Sequence, residues 1–294
     1  MEDNQTTYEY SPSASKNIPF ELDENGKIYL RLQINNGPQL RFLLDTGAAL
    51  LCLIDTKIAS NLKLETKPGY WVIGTDGSTL SGSVARDITF SIPGMSMHHV
   101  NAGIVSLAPP DTTSKYKDGI LGFDIFRNFV VDVNYLNHTL NLFLPDNYIY
   151  KGKGDVIPVT FMSDAAYVRA RVTFPKLAPI EDIFKVDTGD GSAISFHTPF
   201  VDKHKLSTKL AIVATGANAG VGGESQALFA FIDRIDVGAA TLGRTLISLS
   251  RAKTGPLSLG NSAGTLGAGF LRNFKVVFDF SRSQIILEKP AAAN

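Results

Sequence analysis

The chain has 294 residues, of which 44% are hydrophobic and 19% are charged, so it can bury a substantial core and global disorder is excluded. Its 28 basic and 28 acidic residues balance, which removes the electrostatic reason to expect nucleic acid or an anionic membrane as a partner. No segment reaches the roughly 18 consecutive apolar residues of a membrane helix, so membrane insertion is not expected.

The chain begins with a polar segment, residues 1–16, that lacks the apolar core of a signal peptide. The compartment therefore stays open: periplasmic or secreted if an export signal has been removed, and cytoplasmic otherwise.

Alternating apolar residues over Lys27–Ile34 predict a half-buried strand. The next apolar run, Phe42-Leu43-Leu44, ends in Asp45-Thr46-Gly47.

A short helix is predicted near Asp55–Leu62, with Asp55 as its N-cap. The single cysteine, Cys52, excludes an internal disulfide, and its apolar neighbours predict a buried small hydrophobe. The aromatic pair Tyr70-Trp71 comes next and has two interpretations, as the lining of a cleft or as part of the core.

A glycine-rich hairpin follows over residues 74–82 and contains Gly74, Thr75, Asp76 and Gly77. It is either a flap that presents backbone amides to a bound peptide or an ordinary turn. The segment Gly119-Ile120-Leu121-Gly122 follows, and then a predicted helix near Phe123–Asn128 and a predicted strand over Val130–Tyr135. Turn residues over Pro145–Asp155 indicate a linker.

The same landmarks recur in the same order after the linker. Asp187-Thr188-Gly189 follows Phe184-Lys185-Val186 at a shift of 142 residues, and Gly264-Thr265-Leu266-Gly267 repeats the earlier glycine segment at a shift of 145. A second glycine-rich hairpin, Thr215–Gly223, includes Gly216, Gly220 and Gly222. Arg127-Asn128-Phe129 recurs as Arg272-Asn273-Phe274, and the strand Val130–Tyr135 matches Lys275–Phe280, both at a shift of 145. Together with the two glycine-containing motifs, these four landmarks at nearly one offset indicate an internal repeat.

The repeat predicts the other elements of the second half. They are an alternating strand over Ala166–Val172, a helix near Pro199–Leu206 with Thr198 as N-cap, a helix near Gly269–Asn273 and a strand over Lys275–Phe280. The expected fold is all-β with short helices, in two similar lobes at residues 17–148 and 155–289.

The paired Asp-Thr-Gly motifs, each followed about 75 residues later by an apolar-x-Leu-Gly segment, resemble the aspartic peptidases, both pepsin-like and retropepsin-like. The resemblance covers most of residues 17–289. It implies lobes of the acid-protease barrel type, related by a pseudo-two-fold axis, with Asp45 and Asp187 as the catalytic pair. It also implies that Thr46 and Thr188 bond to the opposite loop, and that no metal or organic cofactor is used.

Elementary chemistry supports this resemblance. Gly47 and Gly189 permit tight loops that approach each other closely. Two carboxyls roughly 3 Å apart cannot both ionise readily, so they share one proton. One can then activate water while the other protonates a carbonyl oxygen. We therefore expect an aspartic endopeptidase that cleaves extended peptide or protein substrates and is active as a monomer.

Two positions depart from the pepsin-like pattern, which has Ser or Thr after Asp-Thr-Gly. Here Ala48 and Asp190 follow. Without a hydroxyl donor at Ala48 the pair should titrate higher, which predicts a mildly acidic pH optimum. Asp190 either adds a like charge beside Asp187 or caps its own turn.

Two alternatives remain. The chain could be a non-catalytic peptide- or inhibitor-binding protein with the same fold, or a self-processing enzyme in which residues 1–16 cover the cleft. Arg127 and Arg272 occupy equivalent repeat positions and are predicted to bond across the lobes.

Overall fold

The computed structural model describes residues 5–106 and 117–290 and shows a mostly β protein with two sheet-rich lobes, which confirms the predicted fold class. Short helices and turns connect the strands. Among these residues, no helix is both long enough and apolar enough to cross a lipid bilayer.

The strands of the first half, in chain order, are β1 (Thr7–Tyr10), β2 (Ile18–Pro19), β3 (Glu21–Leu22), β4 (Ile28–Ile34), β5 (Leu40–Leu44), β6 (Cys52–Leu53), β7 (Thr66–Ile73), β8 (Thr79–Ile92), β9 (Met95–Ile104), β10 (Gly119–Leu121), β11 (Val130–Asn134) and β12 (Thr139–Phe143).

The strands of the second half are β13 (Asp155–Pro158), β14 (Thr160–Met162), β15 (Ala165–Thr173), β16 (Ile180–Asp187), β17 (Ile194–Phe196), β18 (Ile212–Gly220), β19 (Gly223–Ile232), β20 (Arg234–Val237), β21 (Ala240–Leu242), β22 (Thr245–Ser250), β23 (Gly264–Gly267), β24 (Lys275–Asp279) and β25 (Gln284–Glu288). The helices are α1 (Thr56–Asn61), α2 (Phe123–Asn128), α3 (Thr198–His204), α4 (Leu206–Lys209) and α5 (Ala268–Leu271).

Each half builds its own large sheet. The nine-stranded sheet of the first half runs β1-β9-β6-β10-β5-β4-β8-β7, with β3 paired to β4. The ten-stranded sheet of the second half runs β18-β19-β22-β17-β23-β16-β15-β20-β21, with β14 paired to β15. In both sheets the strand that ends at an Asp-Thr-Gly loop, β5 or β16, lies parallel to the strand of the Gly-x-Leu-Gly segment, β10 or β23.

A third sheet joins the halves. Its six strands run β13-β25-β24-β11-β12-β2, so each half contributes three. At its centre the repeat-related strands β11 and β24 pair antiparallel, with Val131 opposite Phe278. The ring of Phe280, from the second half, packs 5.4 Å from that of Phe123 and 5.7 Å from that of Phe126 in the first. The lobes therefore share part of one hydrophobic core.

The two repeat arginines also bond across the halves, as predicted. Arg127 donates to the Asp164 carboxylate at 2.7 Å, and Arg272 donates to the Glu24 carbonyl at 2.7 Å. Each arginine thus bonds to a residue of the half that it does not belong to.

The predicted helices form, with one error in capping. The Asp55 side chain accepts a hydrogen bond from the Lys57 amide at 2.8 Å, which confirms it as the N-cap of α1. The prediction of Thr198 as the N-cap of α3 is wrong, because that helix already includes Thr198 and is preceded by His197. The Thr198 hydroxyl instead donates to the Ser250 hydroxyl at 3.1 Å, so tertiary contact has replaced local capping.

The N-terminal segment forms an edge strand. Residues Thr7–Tyr10 pair antiparallel with β9, and the rings of Tyr8 and Tyr10 contact Phe129. Ser15 donates to the Gly94 carbonyl at the turn between β8 and β9. This part of residues 1–16 therefore lies along the outer strand of the first sheet and not over the Asp-Thr-Gly loops, while its first four residues lie outside the described ones.

Candidate active site

The two Asp-Thr-Gly loops meet where β5 and β16 end. Each threonine amide donates to the hydroxyl of the opposite threonine, at 3.0 Å from Thr46 to Thr188 and at 3.1 Å in the reverse direction. The Thr46 hydroxyl donates in turn to the Val186 carbonyl at 2.9 Å, and the Thr188 hydroxyl to the Leu44 carbonyl at 2.8 Å. Both threonines are fully buried, so these four bonds hold the loops together without competition from water.

Glycine after each threonine is a steric requirement of this contact. A β-carbon on Gly47 would collide with the Asp187 carboxyl, and one on Gly189 would collide with the Asp45 carboxyl. Each glycine amide also donates to the aspartate of its own loop, at 2.7 Å from Gly47 to Asp45 and at 2.9 Å from Gly189 to Asp187. The backbone of each loop thus orients one carboxyl and leaves room for the other.

The Gly-x-Leu-Gly segments lie directly behind these loops. The Leu121 carbonyl accepts a hydrogen bond from the Asp45 amide at 3.0 Å, and Asp187 is the register partner of Gly267 in β23. A β-carbon on Gly267 would collide with the carbonyl oxygens of Asp190 and Ser192. Glycine at this position therefore lets the loop fold back against the strand.

Each carboxyl lies against the glycine of the opposite loop, and the pKa values of Asp45 and Asp187 move in opposite directions. Burial raises the pKa of Asp45, and the neighbouring Asp187 charge raises it further, to about 7. Burial also acts to raise the pKa of Asp187, but the Lys185 ammonium and hydrogen bonds from Lys185 and Asp45 outweigh it and hold that pKa below its ordinary value. Opposite shifts of this kind favour a pair that holds one proton between its two titrations.

Lys185 is the site residue that the sequence reasoning missed. Its ammonium lies 2.9 Å from Asp187 Oδ2 and donates to the Gly47 carbonyl of the opposite loop at 3.3 Å. One feature of the sequence indicates it: Lys185 is a charged residue between two apolar ones, two positions before Asp187. Residues two positions apart on a strand have their side chains on the same face, so Lys185 and Asp187 lie on one face of β16.

The two halves differ in the residues around their aspartates. Strand register makes Leu43 equivalent to Lys185, Cys52 to Ser195, Ile54 to His197 and Ile120 to Thr265. On the first side these residues belong to an apolar cluster, hereafter the Leu43 cluster, formed by Tyr29, Leu43, Cys52, Val105 and Ile120 and packed against Ala48, Ile54, Tyr70, Val72, Leu80 and Val221. On the second side the equivalent positions are polar or basic.

The two positions that depart from the pepsin-like pattern have different surroundings. Ala48 has no hydroxyl to offer Asp45, and its carbonyl accepts the Phe123 amide at 2.8 Å. Asp190 accepts the Ser192 amide at 2.8 Å as well as the Ser192 hydroxyl, which are the contacts of a turn cap. Burial raises the pKa of Asp190, and the Asp187 charge adds to this rise, so both interpretations of Asp190 describe part of its environment.

The glycine-rich segments form two hairpins, β7–β8 and β18–β19, whose tips meet. The Thr75 amide donates to the Val221 carbonyl at 2.7 Å, and Gly220 lies against the Thr75 side chain. The Thr254 hydroxyl donates to the Asp76 carbonyl at 2.8 Å and contacts Gly77. Val221 itself packs against the Leu43 cluster, so the joined tips cover the first-half side of the aspartate pair.

The other predicted flap residues separate into two groups. Tyr70 packs against Gly103 and the Leu43 cluster, whereas Trp71 lies on the opposite face of β7 and is 66% exposed. Gly74 and Gly222 touch at the joined tips, and Gly222 has a φ of +82°, which disfavours a side chain. Gly216 lies further along β18, against Phe229.

Within residues 5–106 and 117–290, no group of three or more His, Cys, Asp or Glu side chains is arranged to hold a metal ion.

Residues 30–125 match the model of a family described as aspartyl protease. This range includes Asp45-Thr46-Gly47 and the first Gly-x-Leu-Gly segment and spans about a third of the chain, while Asp187 lies beyond it. No match was found among curated proteins. The family match supports a protease-type function.

Proposed function

We propose that the protein is an aspartic endopeptidase whose catalytic pair is Asp45 and Asp187. The observation that carries this proposal is the placement of two partly buried carboxyls by two repeat-related loops, each carboxyl against the glycine of the opposite loop. Their pKa values are shifted in opposite directions. Pairs of carboxyls whose environments separate their pKa values are suited to acid and base roles at one pH. The family match over residues 30–125 supports the same chemistry.

In the proposed reaction a water molecule binds between the two carboxyls. The ionised carboxylate takes a proton from this water, and the water oxygen bonds to the substrate carbonyl carbon. At the same time the protonated carboxyl gives its proton to the carbonyl oxygen. Collapse of the resulting diol, with a proton transferred to the leaving nitrogen, breaks the peptide bond. Thr46, Gly47, Thr188 and Gly189 fix the geometry of the pair and do not react.

The proposed substrate is an extended peptide bound between two lobes, residues 17–148 and 155–289. Backbone groups of the two hairpins are suited to bind such a peptide as an added strand. Because one chain supplies both aspartates, we propose that the monomer is the active unit. The hairpin tips, joined by the bond between Thr75 and Val221, must separate before a peptide enters.

The test compares the wild-type protein with Asp45→Asn and Asp187→Asn on a diverse peptide library between pH 3 and 8. We expect cleavage by the wild type and a loss of at least about a thousandfold in each variant, since each removes one partner of a concerted proton transfer. Unchanged circular dichroism would show that the fold is retained. Cleavage by both variants would overturn the proposal.

The rival function, a non-catalytic peptide-binding protein, predicts a different result. A peptide with a statine-type diol mimic would then bind the wild type, yet no library peptide would be cut at any pH. Inhibition of measured cleavage by the same compound supports the peptidase.

A further inference from the structure

Lys185 interrupts an otherwise apolar part of β16. Its neighbours Phe184 and Val186 are fully buried, while its own side chain is 24% exposed. A half-buried ammonium costs free energy unless it is paired and hydrogen-bonded. Here the ion pair with Asp187 and the bond to the Gly47 carbonyl supply both, so the lysine is built into the aspartate site.

The placement of this cation is one-sided. Lys185 bonds to Asp187 and to the backbone of the opposite loop, and its equivalent in the first half is the apolar Leu43. Burial lowers the pKa of Lys117, which interacts with Asp45 through its charge. The two carboxyls therefore differ mainly in that one accepts a hydrogen bond from an ammonium group.

We propose that Lys185 is a positioning residue that assigns the two carboxyls to different roles, holding Asp187 as the ionised base and leaving Asp45 as the protonated acid. The inference rests on the proposed peptidase function. It goes further by breaking the equivalence of two carboxyls that stand in near-identical loops.

The proton balance of the attack step follows from this assignment. Asp187 gains the proton of the attacking water, and Asp45 loses its proton to the carbonyl oxygen, so the number of protons on the pair is unchanged. Lys185 stays protonated throughout, because the pKa of its ammonium is raised by Asp187 and Asp45 against the lowering effect of burial. It exchanges no proton and acts through Asp187.

Other ionisable groups face this cluster and do not replace the lysine. Tyr167 is its cross-strand partner on β15, and Asp190 lies in the adjoining turn with a pKa raised by burial. Burial, followed by the Lys185 charge, lowers the pKa of His197 to about 4, so that imidazole is neutral over the mildly acidic range. Within residues 5–106 and 117–290, Lys185 is therefore the cation recorded in contact with the pair.

The first test is the pH dependence of kcat/KM in Lys185→Met. Removing the positive charge raises the pKa of both carboxyls, and we expect the acid limb to move up by about 1–3 pH units, with a smaller upward shift of the alkaline limb. Lys185→Arg keeps the charge and should keep both limbs near their wild-type positions. Unchanged limbs in Lys185→Met would overturn the proposal.

The matched control is Lys275→Met. Lys275 also pairs with a mostly buried carboxylate, Asp132 at 3.2 Å, but in the six-stranded sheet. We expect this variant to keep the wild-type pH limits. If it shifts them as Lys185→Met does, the effect comes from loss of an ion pair in general, and the proposal fails.

A second measurement needs neither activity nor a folded variant at position 185. Carbon-13 NMR of the wild-type aspartate carboxyls resolves the two signals, which Asp45→Asn and Asp187→Asn identify by their loss. We expect the Asp187 signal to titrate at lower pH than the Asp45 signal, and the reverse order would overturn the proposal. If no peptide is cleaved, the peptidase function fails, while the titration still tests whether the carboxyl that Lys185 contacts is the one that ionises first.

Discussion

Asp45 and Asp187 are the same side chain in loops of the same sequence, yet they differ as acids because their surroundings differ. Both are partly buried, and both accept a hydrogen bond from the glycine two positions on. Only Asp187 pairs with the Lys185 ammonium, at 2.9 Å. A charge-assisted contact of this kind favours the ionised form of the carboxyl that receives it and leaves the shared proton to the other.

The pKa shifts predict the pH range of activity. Because the pKa of Asp45 is raised to about 7, the acid loses its proton and activity falls as the pH rises through that value. Because the pKa of Asp187 is lowered, the base becomes protonated only below the ordinary carboxyl range, so the acid limb lies at lower pH. We expect a maximum of kcat/KM at mildly acidic pH. A maximum below about pH 3 contradicts this prediction.

At this scale, motif chemistry predicts the two aspartates, their threonines and their glycines from the sequence. It does not predict Lys185, because the residue stands inside an apolar run that reads as an ordinary buried strand. Strand alternation alone would place Lys185 and Asp187 on one face. Which face looks towards the other loop depends on how the two lobes pack, and that information is not local.

Among the elements, the two hairpins are the parts whose position must change during the proposed reaction. Their tips are joined by the Thr75–Val221 bond, and Val221 packs against the Leu43 cluster beside Asp45. A peptide bound next to the aspartates needs this space. Separation of the tips is therefore the expected entry step.

A disulfide between the tips should block this step. A β-carbon at Gly220 would lie 3.2 Å from that of Thr75, a few tenths of an ångström short of the roughly 3.5–4.5 Å of a disulfide. We expect the Thr75→Cys, Gly220→Cys double variant to lose at least about tenfold in kcat/KM on oxidation and to regain it with dithiothreitol.

The single variants Thr75→Cys and Gly220→Cys are the controls, since neither can form the bond and the native Cys52 is buried. Their activity should not respond to oxidation. If the double variant cleaves peptides equally fast in its oxidised and its dithiothreitol-reduced form, entry does not require the tips to separate.

Glycine content and placement predict both hairpins from the sequence, because turns need residues that tolerate unusual backbone angles. Contact between the tips is not predictable in this way, since it depends on the distance between the lobes. The error at Thr198 has a similar origin: a good local cap was outcompeted by a tertiary hydrogen bond to Ser250.

For the whole molecule, the six-stranded sheet determines how separable the halves are. Each half contributes three strands to it, and aromatic rings from both halves pack behind it. We therefore propose that residues 17–148 and 155–289 are lobes of one cooperative unit and not independent folding domains.

Phe280→Ala tests this cooperativity. The ring is almost fully buried and contacts the rings of Phe123, Phe126, Phe161 and Phe278. We expect its removal to lower the free energy of unfolding by about 3–5 kcal/mol, measured by urea denaturation, with both lobes unfolding in one transition.

Arg127→Ala is the matched control at the same junction. Its exposed ion pair with Asp164 should contribute less than about 1 kcal/mol. Two separate transitions in the wild type or in Phe280→Ala would show that the lobes unfold independently.

The sequence repeat predicts two similar lobes but not the sheet between them. Because the halves are similar in sequence, the repeat predicts the same order of strands within each half. It also predicts that β11 and β24 are equivalent strands near the end of each half. That these two strands pair with each other, Val131 opposite Phe278, follows from the packing of one half on the other.

The polarity difference between Leu43 and Lys185 has a consequence for how the two halves can evolve. In an assembly of two identical subunits, every substitution appears twice around the symmetry axis. A lysine in this strand would then place two ammonium groups against one pair of carboxyls, which would favour ionisation of both and leave no proton donor. Because both loops belong to one polypeptide, one half can acquire a cation while the other stays apolar, and the two copies of the motif are free to diverge into unequal partners.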